Sequence, residues 1–177
     1  MKVVGIDPGT AACGYGIVQG TGGRLTALDH GWWRTSAGER PELRLKTIFD
    51  GVAALIREHR PDAVVIEESF VGADARTALS VGQARGAVLV ACAAAGVSCT
   101  EYAPARVKQA VCGYGRADKA QVQRMVKTIL GLERPPTPHH AADALAVAIC
   151  HALAPPLLHL AEQRKVTPLR RNVRSGT

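Results

Sequence analysis

Apolar and polar positions change rhythm along this chain, and the changes mark its elements. Residues 2–6, 13–19 and 24–34 read as strands, and the short links between them predict an antiparallel meander. Pro41 then opens a helical stretch to about His59, with Leu45, Ile48, Phe49, Val52, Leu55 and Ile56 on one face. Arg60-Pro61 stops that helix. Residues 62–66 ("DAVVI") are apolar at consecutive positions, as in a strand covered on both faces. A helix over 75–95, a strand over 97–102, and helices near 104–111, 118–130 and 138–153 follow. Strands that are first antiparallel and then joined by helical crossovers predict an α/β fold, a mixed five-stranded sheet with helices on both faces. Gly82 and Gly86, four apart in the 75–95 helix, share a face that suits either close approach of another helix or ordinary packing within the domain.

Composition narrows the class. A chain of 177 residues, 47% hydrophobic and 21% charged, fits one globular domain with a real core. Aromatic residues are only 4%, so Ala, Val, Leu and Ile must build that core. The longest apolar run, residues 87–97, is far short of the roughly 20 residues of a membrane span. No basic-then-apolar leader opens the chain, and the expectation is a cytoplasmic protein without membrane contact. Cys13, Cys92, Cys99, Cys112 and Cys150 are odd in number and form no C-x-x-C pair, which predicts reduced thiols rather than disulfides or a zinc site. The net charge of +7 suggests an anionic partner. Much of it, however, sits after Pro155, where Arg164, Lys165, Arg170, Arg171 and Arg174 face only Glu162. Residues 1–154 are expected to form the domain and 155–177 a flexible basic tail.

Three acids change the picture. In "VVGIDPGT" the first strand stops on Asp7, and after "AVVI" come Glu67 and Glu68. Taken singly, these are ordinary turn or surface residues. Taken together, they lie at the carboxyl ends of strands, where sheets of this kind bind ligands. In "PTPHHAADALAVAIC", Thr137 suits an N-cap and Pro138 the first helical position. His140 and Asp143 continue one face with Val147 and Cys150. Asp143 could simply favour the helix dipole, but among Ala and Leu an unpaired charge is costly, and a bound cation would relieve it. Carboxylates from two strand ends and a helix start make an oxygen-rich site for Mg²⁺ or Mn²⁺. Two such ions, about 3.5–4 Å apart, are a standard device for phosphodiester hydrolysis. Lys119, in the first turn after the Asp118 cap, opposes the helix dipole unless an anion visits. Arg116 lies in "GYGRAD", a glycine loop feeding a helix start that can hold phosphate. For both cations, a solvated place on the surface is the plainer account.

The blocks "GIDPGT…GYGIV", "AVVIEESF", "ALSVGQARG", "VKQAVCGYGRADKAQVQRMV" and "HHAADALAVAI" resemble, in order and spacing, those of the RuvC Holliday-junction resolvases. The resemblance runs from Met1 to about Leu153 and leaves out the tail. It implies a ribonuclease-H-like fold and a homodimer that resolves four-way DNA junctions in recombination and repair. The paired metal-dependent nicks would leave 5′-phosphate and 3′-hydroxyl ends, with the RuvA–RuvB branch-migration complex as partner. Asp7, Glu67 and Asp143 match the family's catalytic acids, and the "IE" block selects Glu67 over Glu68. The fourth position, Asp in many members, is His140 here, which keeps a metal ligand or proton acceptor, removes a negative charge and favours Mn²⁺. Lys108 falls in a block matching DNA-binding lysines, and the resemblance favours phosphate contacts for Arg116 and Lys119. Phe70 is either a buried anchor for its loop or, as the resemblance implies, a stacking platform for unpaired junction bases. "IDPGTAACGYGIV" also resembles the phosphate-binding turn of the actin and sugar-kinase ATPases, which need a second domain that 177 residues do not accommodate. A different ribonuclease-H-like nuclease would share much of this pattern, and so would a junction-binding protein without enzymatic activity.

Overall fold

The computed structural model describes residues 1–68 and 75–155. Strands β1 (Lys2–Asp7), β2 (Ala12–Thr21) and β3 (Arg24–Arg34) form the meander, and helix α1 (Pro41–His59) leads to β4 (Ala63–Glu67). Helix α2 (Ala75–Ala95) precedes β5 (Cys99–Tyr102), and α3 (Pro104–Cys112), α4 (Lys119–Leu130) and α5 (His139–Ala152) complete the described chain. The sheet order is β3-β2-β1-β4-β5. β1 is antiparallel to β2, and β2 to β3, whereas β1–β4 and β4–β5 are parallel.

Strand alternation sorts side chains into two cores. Val4, Ile6, Ile17, Val64 and Ile66 face α1 and α2. Val3, Val18 and Val65 face the other way and pack with α3, α4 and α5. Helix α2 has the length and composition of a membrane span, a property the apolar run in the sequence does not reveal. In the fold it buries Ala84, Val88, Ala91 and Cys92 against the sheet and α1, and its Arg85 pairs with Glu101 of β5.

Helix α5 lies across the sheet on glycine. A Cβ at Gly5 would stand 2.0 Å from the Ala144 carbonyl oxygen, and one at Gly14 would stand 2.1 Å from that of His140. At Gly16 it would meet Leu145 Cγ at 2.6 Å. Gly5 pairs with Gly16, and Asp7 with Gly14, so one bare patch of backbone spans both strands. Ala141, Ala142, Ala144, Ala146 and Ala148 keep the helix slim on its own side, and all are buried.

Several boundaries move. β1 takes one more residue than expected and β4 lies one residue further along, at Ala63–Glu67, because ladder pairing continues through Asp7↔Gly14 and Glu67↔Tyr102. β5 begins at Cys99, since the Val97 amide donates to Cys92 O and closes the end of α2, with Gly96 at φ 68°. Thr137 does not cap α5. Pro138 occupies that position with extended backbone, its carbonyl accepts from the Ala141 and Ala142 amides, and helix geometry starts at His139. Cys13, Cys92 and Cys150 are buried free thiols, and Cys99 and Cys112 are also unpaired.

The seating of α5 has a measurable consequence. Gly5→Ala and Gly14→Ala are each expected to cost at least the ~1–3 kcal/mol of an overpacked core, because the atoms they strike are backbone. Urea unfolding at neutral pH measures this. A loss below about 0.5 kcal/mol in both variants would show that the helix does not rest on these strands.

Candidate active site

Alternation along β1 puts Val3, Gly5 and Asp7 on the α5 side of the sheet, and along β4 it puts Val65 and Glu67 there. Because Ile6 pairs with Ile66, Asp7 and Glu67 are neighbours at the carboxyl edge of two parallel strands. Glu68, the next residue, is exposed and its amide donates to Tyr102 O, whereas Glu67 is partly buried beside Asp7. Helix α5, resting on Gly14 at its own residue 140, carries His140 and Asp143 over that edge. His140 Nδ1 donates to Asp7 Oδ2 at 2.7 Å. With Nδ1 bearing that proton, Nε2 keeps a lone pair whenever the ring is neutral.

Asp143 is held by a cation. Lys119 Nζ stands 2.8 Å from Asp143 Oδ2 across the α4–α5 junction. The start of α4 is rigidly made. Asp118 accepts from the Gln121 amide at 2.7 Å, the Gln121 side chain accepts from the Asp118 amide at 3.0 Å, and the Tyr114 hydroxyl also donates to that side chain. This capping box places a carboxylate where the "GYGRAD" pattern suggested a phosphate, so that helix end is already satisfied by its own chain. Lys119 opposes the dipole because its partner is Asp143.

Glu67, Lys108, Lys119 and Asp143 line a cleft of about 250 Å³, with Pro104, Val107, Val122 and Ala146 as its apolar walls. Burial, and then the charges of Asp7 and Asp143, push Glu67 up to about 7, while Lys108 and Lys119 pull the other way. His140 is also raised, first by its hydrogen bond to Asp7, with burial opposing. The structure thus brings Asp7, Glu67, His140, Asp143, Lys108 and Lys119 to one place. Arg116 is exposed in the α3–α4 loop and does not line the cleft, and Phe70 lies outside the described residues.

A carboxyl group whose neighbours' negative charges raise its proton affinity marks a site short of positive charge. Three carboxylates supply the hard oxygen donors that divalent cations prefer, and this set fits such an ion. Among the described residues, no three His, Cys, Asp or Glu side chains are already drawn into a finished cage. Lys119 and His140 hold two of the acids instead.

Motifs alone do not reveal three features of this region: the glycine seat under α5, the Lys119–Asp143 pair, and the hydrogen bond that Arg44 Nε of α1 donates to Thr35 Oγ1. The alternating glycines of "GYG" signal the first, whereas nothing local signals the second and third.

Acids at the ends of two central strands, faced by a helix laid across a 3-2-1-4-5 sheet, define a ribonuclease-H-like nuclease. The family model for "Crossover junction endodeoxyribonuclease RuvC" matches residues 3–151. The RuvC of Heliobacterium modesticaldum is 55% identical over 152 residues, covering 86% of this chain and 94% of that protein. The solved RuvC of Thermus thermophilus superposes with a TM-score of 0.80 at 43% identity, over 86% of this chain and 93% of that one. The same protein in complex with a Holliday junction substrate gives a TM-score of 0.80 at 40% identity with the same coverage. The chain belongs to the RuvC family of crossover junction endodeoxyribonucleases, which are metal-dependent nucleases.

Glu67 sets a pH dependence. A carboxyl with a raised folded pKa adds stability that is fully present below its ordinary value of 4.5 and is lost as pH rises through about 7. In chelator, the unfolding free energy should fall between about pH 5 and 8 more steeply in the wild type than in Glu67→Gln. Urea titrations across that range check the sign, and identical slopes would remove Glu67 from the acidic cluster.

Proposed function

We propose that this protein is an endodeoxyribonuclease that resolves four-way DNA junctions by paired, metal-dependent hydrolytic nicks, leaving 5′-phosphate and 3′-hydroxyl ends. The observation that carries this reading is the meeting of Asp7, Glu67 and Asp143 on the α5 face of the sheet, in a chain of the RuvC family. Asp7, Glu67 and Asp143, with His140, would hold Mg²⁺ or Mn²⁺, two ions per site. Their chemistry there is to lower the pKa of water and to offset charge on the departing 3′-oxygen.

The chain's own residues do the rest. Asp7 takes the Nδ1–H of His140 and fixes the ring, which leaves Nε2 as the atom able to ligate a metal or accept a proton from the attacking water. Lys119 holds Asp143 until a negatively charged backbone arrives, and with Lys108 it then has phosphate oxygens to contact. Val107, Val122 and Ala146 exclude water from one wall of the cleft and strengthen every charge interaction inside it. Arg116, exposed in the α3–α4 loop, and Phe70, stacking on unpaired bases, would extend the DNA contact.

A four-way junction needs two cuts, and a two-fold homodimer presents two sites to a two-fold substrate. Helix α2 supports such pairing. Leu79 and Val90 are 66% and 59% exposed on it, and Gly82 and Gly86 face open space. Residues 1–154 act as the nuclease domain, and the basic residues of 155–177 add attraction for any DNA. Branch migration by a RuvA–RuvB complex would supply the junction, in the cytoplasm where chromosomal DNA lies.

A synthetic four-way junction with Mg²⁺ or Mn²⁺ tests the reading against duplex DNA and RNA–DNA hybrids. Symmetric nicking of the junction, abolished in Asp7→Asn and Asp143→Asn and largely lost in His140→Ala, is expected. Equal cleavage of plain duplex would point to another ribonuclease-H-like nuclease, and binding without nicking to a non-enzymatic junction protein. Lys108→Ala and Lys119→Ala should each weaken junction binding and make its salt dependence shallower by about 0.9 in the log–log slope.

A further inference from the structure

A second cleft, of about 400 Å³, opens on another side of His140. Arg44, Arg76, Thr10, Thr77 and Ser80 line it together with His140, and no carboxylate is among its described lining residues. Its described lining thus carries guanidinium groups without a carboxylate, whereas the first cleft mixes two acids with two lysines, and His140, which lines the second cleft, is bonded to Asp7 of the acid cluster.

Arg44 is oriented with care. Its Nε donates to Thr35 Oγ1 at 2.9 Å. Thr35 is itself pinned twice: its amide donates to Ala11 O at 3.1 Å, and its hydroxyl donates to Thr10 O. Thr10 Oγ1 in turn shares a hydrogen bond with Ser80 Oγ, which ties the turn after β1 to α2. One edge of the guanidinium is thus spent on neutral groups that fix its direction. Its terminal nitrogens have no hydrogen-bond or ion-pair partner among the described residues. A guanidinium cannot shed its charge, and one that is half-buried and aimed by hydroxyls offers its free fork to an anion with oxygens in a plane. Of the Thr10 and Ser80 hydroxyls, which share a hydrogen bond, one keeps a proton to donate at the same wall.

We propose that this cleft grips a second phosphodiester of the DNA strand being cut, a neighbour of the phosphate at the acids, and that Arg44 is its principal contact. This rests on the nuclease reading above, which puts the scissile phosphate on one side of His140. A continuous backbone crossing His140 carries its next negative charges into the cationic cleft. Two sites on one strand fix where along that strand the acids act. A single phosphate contact would leave the strand free to pivot.

The experiment uses the full chain, a four-way junction, and Ca²⁺ or chelator to prevent cleavage, with binding measured across a salt series. Arg44→Gln should weaken junction binding about tenfold, as expected for a lost charged hydrogen bond, and make the salt slope shallower by about 0.9. Arg44→Lys should keep the wild-type slope and recover only part of the affinity, because an ammonium lacks the fork. Thr35→Val should leave the slope unchanged and reduce affinity, because charge stays but aim is lost. Urea unfolding of each variant accompanies the binding data. Arg44→Gln with unchanged slope overturns the proposal whatever its affinity or stability, since a purely structural residue releases no counterions. Inorganic phosphate provides a further arm. If it raises the unfolding midpoint of the wild type but not of Arg44→Gln, while their junction slopes agree, the cleft takes free phosphate and not the strand, and the proposal falls. A wild-type chain that binds no DNA would overturn the nuclease reading along with this one, whereas wild-type binding with Arg44→Gln indistinguishable from it overturns this one alone.

Discussion

The structure depends on one contact, the laying of α5 directly onto the glycine backbone of β1 and β2. Helix-on-sheet packing normally keeps side chains between the two layers, and that spacing would hold His140 and Asp143 away from the strand ends. Gly5, Gly14 and Gly16 remove the spacer on the sheet side, and the alanines of α5 remove it on the helix side. The His140 carbonyl would lie 2.1 Å from a Cβ at Gly14, so no other residue fits there without moving the helix. Gly14 is also the ladder partner of Asp7. The same pair of residues thus sets the strand end and the helix height, and the 2.7 Å bond between Asp7 and His140 follows from it.

Close seating has an electrostatic consequence. It brings acids into a partly buried region, where burial first, and then the charges of Asp7 and Asp143, raise the proton affinity of Glu67. The protein tolerates the arrangement because Lys119 pairs with Asp143 and His140 donates a hydrogen bond to Asp7. These partners can exchange, since a divalent ion can take the carboxylates and a phosphate backbone can take the lysine. The site is held together by interactions that the substrate and its metal are able to replace. Structural ion pairs elsewhere, such as Arg85 with Glu101 between α2 and β5, have no such competitor.

His140 belongs to both halves of the surface. On one side lie the carboxylates with Lys108 and Lys119; on the other lies a cleft of hydroxyls and guanidinium groups. An Asp in its place would carry a fixed negative charge to the wall of the cationic cleft. An imidazole serves Asp7 as a hydrogen-bond donor and leaves that wall without a carboxylate.

Local rules made much of this protein legible in its amino-acid order. Apolar patterning marked the five strands and five helices of the described residues, with Pro41, Arg60-Pro61 and Pro104 as boundaries. Asp7 and Glu67 were legible as chemistry only as a pair, because both lie at the carboxyl ends of strands, where sheets of this kind bind ligands. Asp143 was legible because a charge among alanines needs a partner. The identity of that partner was not: Lys119 lies 24 residues upstream on another helix, and its pairing is set by how α4 and α5 cross. Thr137 looked like a cap, but backbone geometry gave the position to Pro138. The network from Arg44 through Thr35 and Thr10 to Ser80 joins four separate segments, and only the folded chain brings them together. Sequence by itself determined the elements and the acids, since propensity and burial act on neighbours. Tertiary structure alone decided which cation meets which carboxylate and how closely α5 sits, because those depend on distances between residues that the chain order does not encode.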